Sequence, residues 1–121
     1  MTTAQALLDQ VSRLCLALPA TATKLSHGTP AFSVSGKMFV YFLDDHHGDG
    51  ITSVCVKTSG LEEQAMLIES DPDLYYRPAY IGPAGWVGLR LDHGPVDWDH
   101  VEDRIRTSWR LAAPRKLAGM I

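Results

Sequence analysis

Residues 38–43 read Met-Phe-Val-Tyr-Phe-Leu, and this apolar run decides the fold class. Its aromatic and β-branched residues favour a strand, and apolar side chains on both faces suit a central strand that helix covers on one side. Ser35-Gly36-Lys37 before it predicts a tight turn. Phe32 and Val34 recur with a period of two on the other side of that turn, so a hairpin is expected here.

Further strands follow from the same patterns outside this hairpin. The polar, glycine-containing segment 44–50 predicts a loop. The strands are expected at residues 23–26 (the weakest pattern), 51–56, 79–81 and 86–91, with a turn through residues 82–85 between the last two.

Three helices are predicted around these strands. Apolar residues at spacings of three and four indicate a helix from Thr3 to Leu18, with Thr2 and Gln5 in the form of a capping box. A second helix is expected at residues 61–70. Asp97 should cap the last helix, whose apolar stripe consists of Trp98, Val101, Ile105, Trp109 and Ala112.

The order of these elements is helix, three or four strands, helix, two strands, helix. Strands joined by short turns pair antiparallel, because a parallel pair needs a long crossover. The expected architecture is therefore an α+β fold with two layers, an antiparallel sheet and helices packed on one of its faces. Residues 1–121 are expected to form a single domain, since no linker or repeat interrupts them.

Length and composition restrict the class of protein. The chain has 121 residues, 45% of them hydrophobic and 21% charged, which is ordinary for a globular protein. It contains no apolar run of the roughly 20 residues that a membrane helix requires, and it lacks a basic leader. A cytoplasmic location is expected. Cys15 and Cys55 are predicted to be small core residues.

Positive charge is concentrated near the end of the chain. Residues 104–116 carry five basic residues and no acid, whereas the rest carries six basic residues and all fourteen acids. Part of this pattern follows the helix dipole, which favours acids first and bases last. Arg110, Arg115 and Lys116 have no acid nearby in sequence and are the candidates for phosphate contacts.

Six short motifs in order resemble the MmcQ/YjbR family. The first consists of residues 26–30, Phe32 and residues 36–37, and the others lie at residues 46–50, 78–82, 85–90, 96–98 and 109–114. The resemblance extends from about residue 18 to residue 117. It implies a compact α+β fold and a DNA-binding role through a double-wing-like hairpin arrangement, and it transfers no catalytic residues. Trp109 and Ile51 depart from the family pattern, which has tyrosine and commonly a basic residue at those positions.

The residue types that best suit a chemical role lie in the loop Asp44-Asp45-His46-His47-Gly48-Asp49-Gly50. It is not a calcium loop, because His47 stands at a position that needs oxygen and Val56 stands where a bidentate glutamate belongs. Neighbouring imidazoles with Asp49 and His27 suit a transition metal, yet adjacent side chains in extended backbone point apart. A solvated loop without a metal is therefore predicted.

A second candidate binding site is a shallow pocket. Gly82, Gly85 and Gly88 do not follow the dinucleotide-binding spacing, and turn geometry accounts for them. Trp86 beside these glycines is able to form the floor of a pocket with Tyr80 and Arg90. Neither a nucleophile elbow nor a phosphate-cradling loop is present, so no catalytic residue and no cofactor are predicted.

Two functions remain open from the sequence. The first is a non-enzymatic DNA-binding or regulatory module that contacts phosphates through Arg110, Arg115 and Lys116, weakly and without sequence preference. The second is a small-ligand or protein-interaction domain that uses the His46/His47 loop and the Tyr80–Trp86 hairpin. Its expected binding residues are His27, His47, Tyr80, Trp86 and Arg90. A basic patch on one face favours the first function, and a concave pocket with the histidines and Tyr80 favours the second.

Overall fold

A computed structural model describes residues 2–121 of the chain. Three helices lie within these residues: α1 (Ala4–Leu16), α2 (Leu61–Ser70) and α3 (Trp98–Ala112). The strands are β1 (Thr21–Ser26), β2 (Thr29–Val34), β3 (Lys37–Asp44), β4 (Thr52–Val56), β5 (Tyr75–Tyr76) and β6 (Val87–Arg90). Short 3₁₀ turns occur at His46–Gly48, Gly82–Ala84 and Ala118–Met120. None of the helices described is long and apolar enough to cross a bilayer.

The six strands form one antiparallel sheet in the order β1-β2-β3-β4-β6-β5. The first four follow chain order because tight turns connect β1 to β2 and β2 to β3, and a longer loop connects β3 to β4. After β4 the chain forms α2 and returns as β5 at the sheet edge. β6 then fills the position between β4 and β5, so it pairs on both sides.

The helices pack on one face of this sheet. Their apolar stripes and the inward side chains of the strands form the main core, which includes Val11, Phe32, Val54, Ile105 and Trp109. A polar link fixes α3 to the sheet: the Ser108 hydroxyl donates to the Phe39 carbonyl (2.5 Å) and accepts from the Lys57 N–H (2.9 Å). The predicted two-layer α+β fold with helices on one face is confirmed.

Both ends of α1 differ from the prediction. Thr3 caps the helix instead of Thr2, with its hydroxyl accepting from the Ala6 N–H at 3.1 Å. Gln5 does not complete a capping box, because its amide donates to Asp9 one turn later. The helix ends at Leu16, two residues before the expected end at Leu18, since Ala17 and Leu18 already form the turn that precedes Pro19.

The predicted second hairpin is wrong in its first strand. Residues 79–81 form a turn instead, in which the Ile81 N–H donates to the Ala79 carbonyl (2.8 Å). Tyr80 has a φ of 67°, a left-handed conformation that ends strand pairing. The strand that pairs with β6 on this side is Tyr75–Tyr76, and ten residues separate the two strands. Trp86 precedes β6 and does not belong to it.

Candidate functional site

The face of the sheet opposite the helices, here called the helix-free face, carries a continuous row of side chains. The strand register aligns one residue from each strand across it. From one sheet edge to the other this row is Lys24, Ala31, Tyr41, Cys55, Gly88 and Tyr76. In this row, the small residues Cys55 and Gly88 lie between Tyr41 and Tyr76, and the Tyr76 ring extends over Gly88.

Tyr76 illustrates this arrangement. Its ring occupies the space where a side chain at position 88 would project, so only glycine fits there. The Tyr76 hydroxyl and Ser53 Oγ share a hydrogen bond of 2.7 Å. Burial raises the pKa of the Tyr76 phenol, which therefore stays protonated at neutral pH. The ring thus covers β6, and its hydrogen bond reaches β4, on the face that carries no helix.

Both cysteines are core residues, as predicted. Cys15 and Cys55 are fully buried and unpaired. Burial raises the pKa of Cys55 to about 12, although hydrogen bonds from Ser53 and Tyr76 oppose this effect. A protonated and buried thiol is a poor nucleophile.

The helix-free face is positively charged within an acidic protein. Among the described strand residues that share this face by register, Lys24 and Arg90 are basic and none is acidic. Lys57 extends the charge beyond the end of β4, with its amine 6.0 Å from the centre of the Trp86 ring. Partial burial lowers the pKa of Lys57, and the positive charge of the nearby Lys37 lowers it further.

One ion pair lies at the end of β6. The Arg90 guanidinium donates to Asp92 Oδ1 at 2.9 Å, and the Thr52 N–H donates to Asp92 Oδ2 at 3.1 Å. Partial burial opposes ionisation of this carboxyl, but the two hydrogen bonds prevail and hold the pKa of Asp92 below its usual value.

Replacing Asp92 with asparagine is expected to destabilise the protein in a pH-dependent manner. A lowered native pKa stabilises the fold above the unfolded pKa of about 3.9, and this stabilisation is lost as the pH falls through the native pKa. The variant should therefore melt below the parent at pH 7, with the difference shrinking towards pH 3. Thermal unfolding of both proteins across this range measures it. A difference that is constant with pH would contradict the assignment.

A concave site lies at one end of the helix-free face and is called the histidine cleft. Its volume is about 430 Å³. The cleft is lined by Ser26, His27, Thr29, Tyr41, Leu43, His46, His47, Ala79, Tyr80 and Ile81. The walls come from the β1–β2 turn, the β3–β4 loop and the turn before Gly82, while side chains of β3 form the floor.

The backbone of the cleft is held in unusual conformations. His27, His47 and Tyr80 have φ values of 52°, 57° and 67°. His27 and Gly28 both have positive φ and form the two-residue turn between β1 and β2, a position where asparagine is the preferred first residue. Tyr80 is a bulky residue in a region that costs conformational energy. Such outliers are concentrated at binding sites.

A second cleft of about 390 Å³ adjoins the first on the side of α1. The two share His27, Thr29, His46 and His47, and Asp44 and Asp45 line the second. Asp45 Oδ1 accepts from the Gly50 N–H at 2.7 Å, so this carboxylate holds the loop. Within residues 2–121, no three histidine, cysteine or acidic side chains are grouped to bind a metal.

Gln64 of α2 holds the wall of the histidine cleft, which the sequence analysis missed. This buried side chain, 3% exposed, donates to the carbonyls of Gly82 (2.8 Å) and Trp86 (2.6 Å). Thr58 adds a hydrogen bond to the Gly85 carbonyl at 2.6 Å. A glutamine within a short amphipathic helix resembles an ordinary surface residue in sequence, so no local signal identifies this role.

The fold brings together only some of the predicted binding residues. His27, His47 and Tyr80 line the cleft, together with His46. Trp86 does not, because its ring is 8% exposed and packs against Tyr41 at 5.1 Å. Arg90 is also outside the cleft, where it pairs with Asp92. The predicted phosphate contacts Arg110, Arg115 and Lys116 are exposed in and beyond the last turn of α3.

Comparisons with known proteins agree with this fold. The YjbR family model matches residues 16–111. The crystal structure of Deinococcus radiodurans protein DR2400, with family domain DUF419, is similar at a TM-score of 0.71 and 21% identity. That alignment covers 92% of this chain and 81% of the other. A comparison with curated proteins returned no match. Because the family model spans the whole sheet, α2 and nearly all of α3, the chain belongs to the YjbR family.

Proposed function

We propose that this domain is a non-enzymatic nucleic-acid-binding module and that the helix-free face is its contact surface. The observation that carries the proposal is the charge of this face. Lys24 and Lys57 lie on or beside it, Arg90 lies on it in an ion pair with Asp92, and none of the described strand residues that share it is acidic, although the whole protein has a net charge of −3. Phosphate contacts dominate the affinity of proteins for nucleic acids, so this segregation of charge favours a polyanion.

The aromatic side chains on the same side favour unpaired bases over a duplex. Tyr80 is 79% exposed, and the half-buried Tyr41 lines the floor of the same cleft. Bases stack on exposed aromatic rings when a strand is single, and in a duplex they are not available for such stacking. We therefore expect weak, largely sequence-independent binding of single strands.

The basic residues of the C-terminal segment are an alternative contact surface. Arg110, Arg115 and Lys116 are exposed, but α3 packs on the face of the sheet opposite the proposed surface. The two groups of charges thus lie on different sides of the molecule, and variants that each remove two charges can separate them.

The test measures binding to a fluorescent single-stranded 12-mer by anisotropy at several salt concentrations. With about three phosphate contacts, log affinity should fall with log salt at a slope near −2, and Kd should be roughly 10 μM or weaker at physiological salt. The double variant Lys24→Gln, Lys57→Gln should weaken binding at least about fivefold at low salt.

Arg115→Gln combined with Lys116→Gln is the matched control, because it removes the same charge from the other side. The control should bind within about twofold of the parent. If it weakens binding while the Lys24 and Lys57 variant does not, the contact surface is the C-terminal segment. Absence of binding at low salt to either a single strand or a duplex would refute the proposed function.

A further inference from the structure

We propose that the histidine cleft binds one planar, uncharged heteroaromatic ring with a polar edge, either a free nucleoside-like molecule or an unpaired base of a strand. This inference goes beyond the proposed function, which needs only phosphate contacts and stacking on the surface. It rests on the lining of the cleft and stands whether or not a polynucleotide binds.

The size and floor of the cleft suit a ring. Its volume of about 430 Å³ lies within the range of small-molecule sites, roughly 300–1,000 Å³. Leu43 on the floor and Ile81 on the adjoining wall provide apolar surface, and both pack in the small apolar cluster that also contains Trp86. A floor that is supported from below remains in place when a ligand presses against it, so the cleft is largely preformed.

Aromatic rings flank this floor. The centres of the His47 and Tyr80 rings are 5.2 Å apart at an interplanar angle of 67°, and His46 lies 4.0 Å from His47. The Tyr80 ring thus contacts His47 edge-on and keeps most of its surface exposed. An exposed aromatic face beside an apolar floor favours a flat partner, since aromatic rings associate by offset stacking or by edge-to-face contact.

The rim of the cleft is polar but carries no fixed positive charge. Ser26 and Thr29 supply hydroxyls, and His27 supplies an imidazole that can donate or accept. None of the described lining residues is lysine or arginine, and Asp44 and Asp45 lie in the adjoining cleft. An anionic phosphate is therefore disfavoured inside the cleft, while a polar ring edge finds hydrogen-bond partners there.

Lys24 lies where the phosphate of a bound strand would remain. Lys24 is on the same face of β1 as Ser26, two residues along the strand. A base inside the cleft would leave its phosphate outside, on the side of Lys24. The geometry thus separates recognition of the ring from attraction of the phosphate.

The test uses adenosine as the probe, followed by amide NMR spectra of the ¹⁵N-labelled protein at pH 7.5. Shifts should be confined to residues 26–29, 41–47 and 79–81, with a Kd of about 0.1–1 mM. Ribose, which lacks the heteroaromatic base, should cause no shift. Adenosine monophosphate should bind more weakly than adenosine. Absence of adenosine shifts, or shifts that lie outside these segments, would overturn the proposal even if single strands bind.

Two variants test the lining. Tyr80→Ala removes an exposed side chain, so it should preserve the fold and raise Kd at least about fivefold. His27→Asn removes the imidazole and introduces the favoured first residue of the turn, so Kd should rise while the melting temperature is unchanged or higher. His93→Asn is the matched control, because His93 is exposed and lines neither cleft. Unaltered affinity in both cleft variants would refute the site.

A third comparison identifies the source of the ring. Single-stranded 12-mers that carry every base are compared with fully abasic strands of the same length, by anisotropy and by the same amide shifts. If a base of the strand enters the cleft, intact strands should cause the cleft shifts and strands that lack every base should not. If adenosine binds the cleft while strands cause no shift there, the ligand is a free small molecule and the strand arm is refuted.

Discussion

Replacing Gly88 with alanine is expected to lower the free energy of unfolding by about 2 kcal/mol, because overpacking of a buried site costs roughly 1–3 kcal/mol. A Cβ at this position would lie 2.5 Å from Cζ of Tyr76, closer than any carbon contact permits. The Tyr76 ring has to move away from the sheet to admit the methyl group. Its hydrogen bond to Ser53 is then lost, and Ser53 is fully buried.

Chemical denaturation in urea with tryptophan fluorescence measures this loss. Gly119→Ala is the matched control, because a Cβ there has no neighbour within 4 Å and the residue does not adopt positive φ. The double variant Gly88→Ala, Tyr76→Ala should be less destabilised than the sum of the two single changes, because the second change removes the clash. Additive effects, or a Gly88→Ala loss below about 0.5 kcal/mol, would show that the ring does not lie over Gly88.

Replacing Trp109 with alanine should have the largest effect of all, a loss of about 3–5 kcal/mol in the free energy of unfolding. The side chain is 0% exposed and lies where α3, the sheet and the end of α1 meet. Its indole N–H also donates to the Pro19 carbonyl at 3.0 Å, which fixes the connection between α1 and β1. Alanine leaves both a cavity and an unpaired carbonyl.

Two further variants separate these contributions. Trp109→Phe keeps an aromatic ring but loses the hydrogen bond and some volume, so a smaller loss of about 1–3 kcal/mol is expected. Leu111→Ala, on the exposed side of the same helix, should change stability by less than about 0.5 kcal/mol. Urea denaturation at pH 7 measures all three. A Trp109→Ala loss no greater than that of Leu111→Ala would contradict the packing of α3.

These two positions show that residues on both faces of the sheet stabilise the fold. Trp109 belongs to the main core, which the helices cover. Gly88 belongs to the helix-free face, where aromatic side chains take the place of a helix layer. Substitutions such as Tyr80→Ala or Lys24→Gln are therefore expected to change binding with little effect on unfolding, since both residues are exposed.

The sequence alone determined the elements whose patterns are local. Residues 61–70 are helical as predicted, and Asp97 caps α3, whose apolar stripe at spacings of three and four faces the core. The hairpin of β2 and β3 also follows from its neighbours, because a two-residue turn fixes the pairing on either side of it. In each case the side chains that decide the structure lie within a few residues of each other.

Only the tertiary structure decided which strand pairs with β6. The strand Tyr75–Tyr76 has only two residues, so it cannot show the alternation of apolar and polar side chains that identifies a strand. Its pairing with β6 also requires that no side chain at position 88 occupies the place of the Tyr76 ring. The predicted strand at residues 79–81 had an apolar and aromatic composition that favours strands, but Tyr80 is left-handed and the segment forms a turn, whose following residue Gly82 accepts a hydrogen bond from Gln64.

The same distinction applies to the histidine cleft. His27 and His47 were candidates from the sequence because imidazoles stand beside glycines in loops, and Tyr80 was a candidate as part of a shallow pocket with Trp86. Their meeting in one cleft, with Trp86 and Arg90 outside it, follows from the strand order and register, which bring two turns and a loop together at the same end of the sheet. Local periodicity determines which way a side chain points along its own strand. Which distant side chains it meets depends on the packing of the whole sheet, and a single segment of sequence contains no information about that packing.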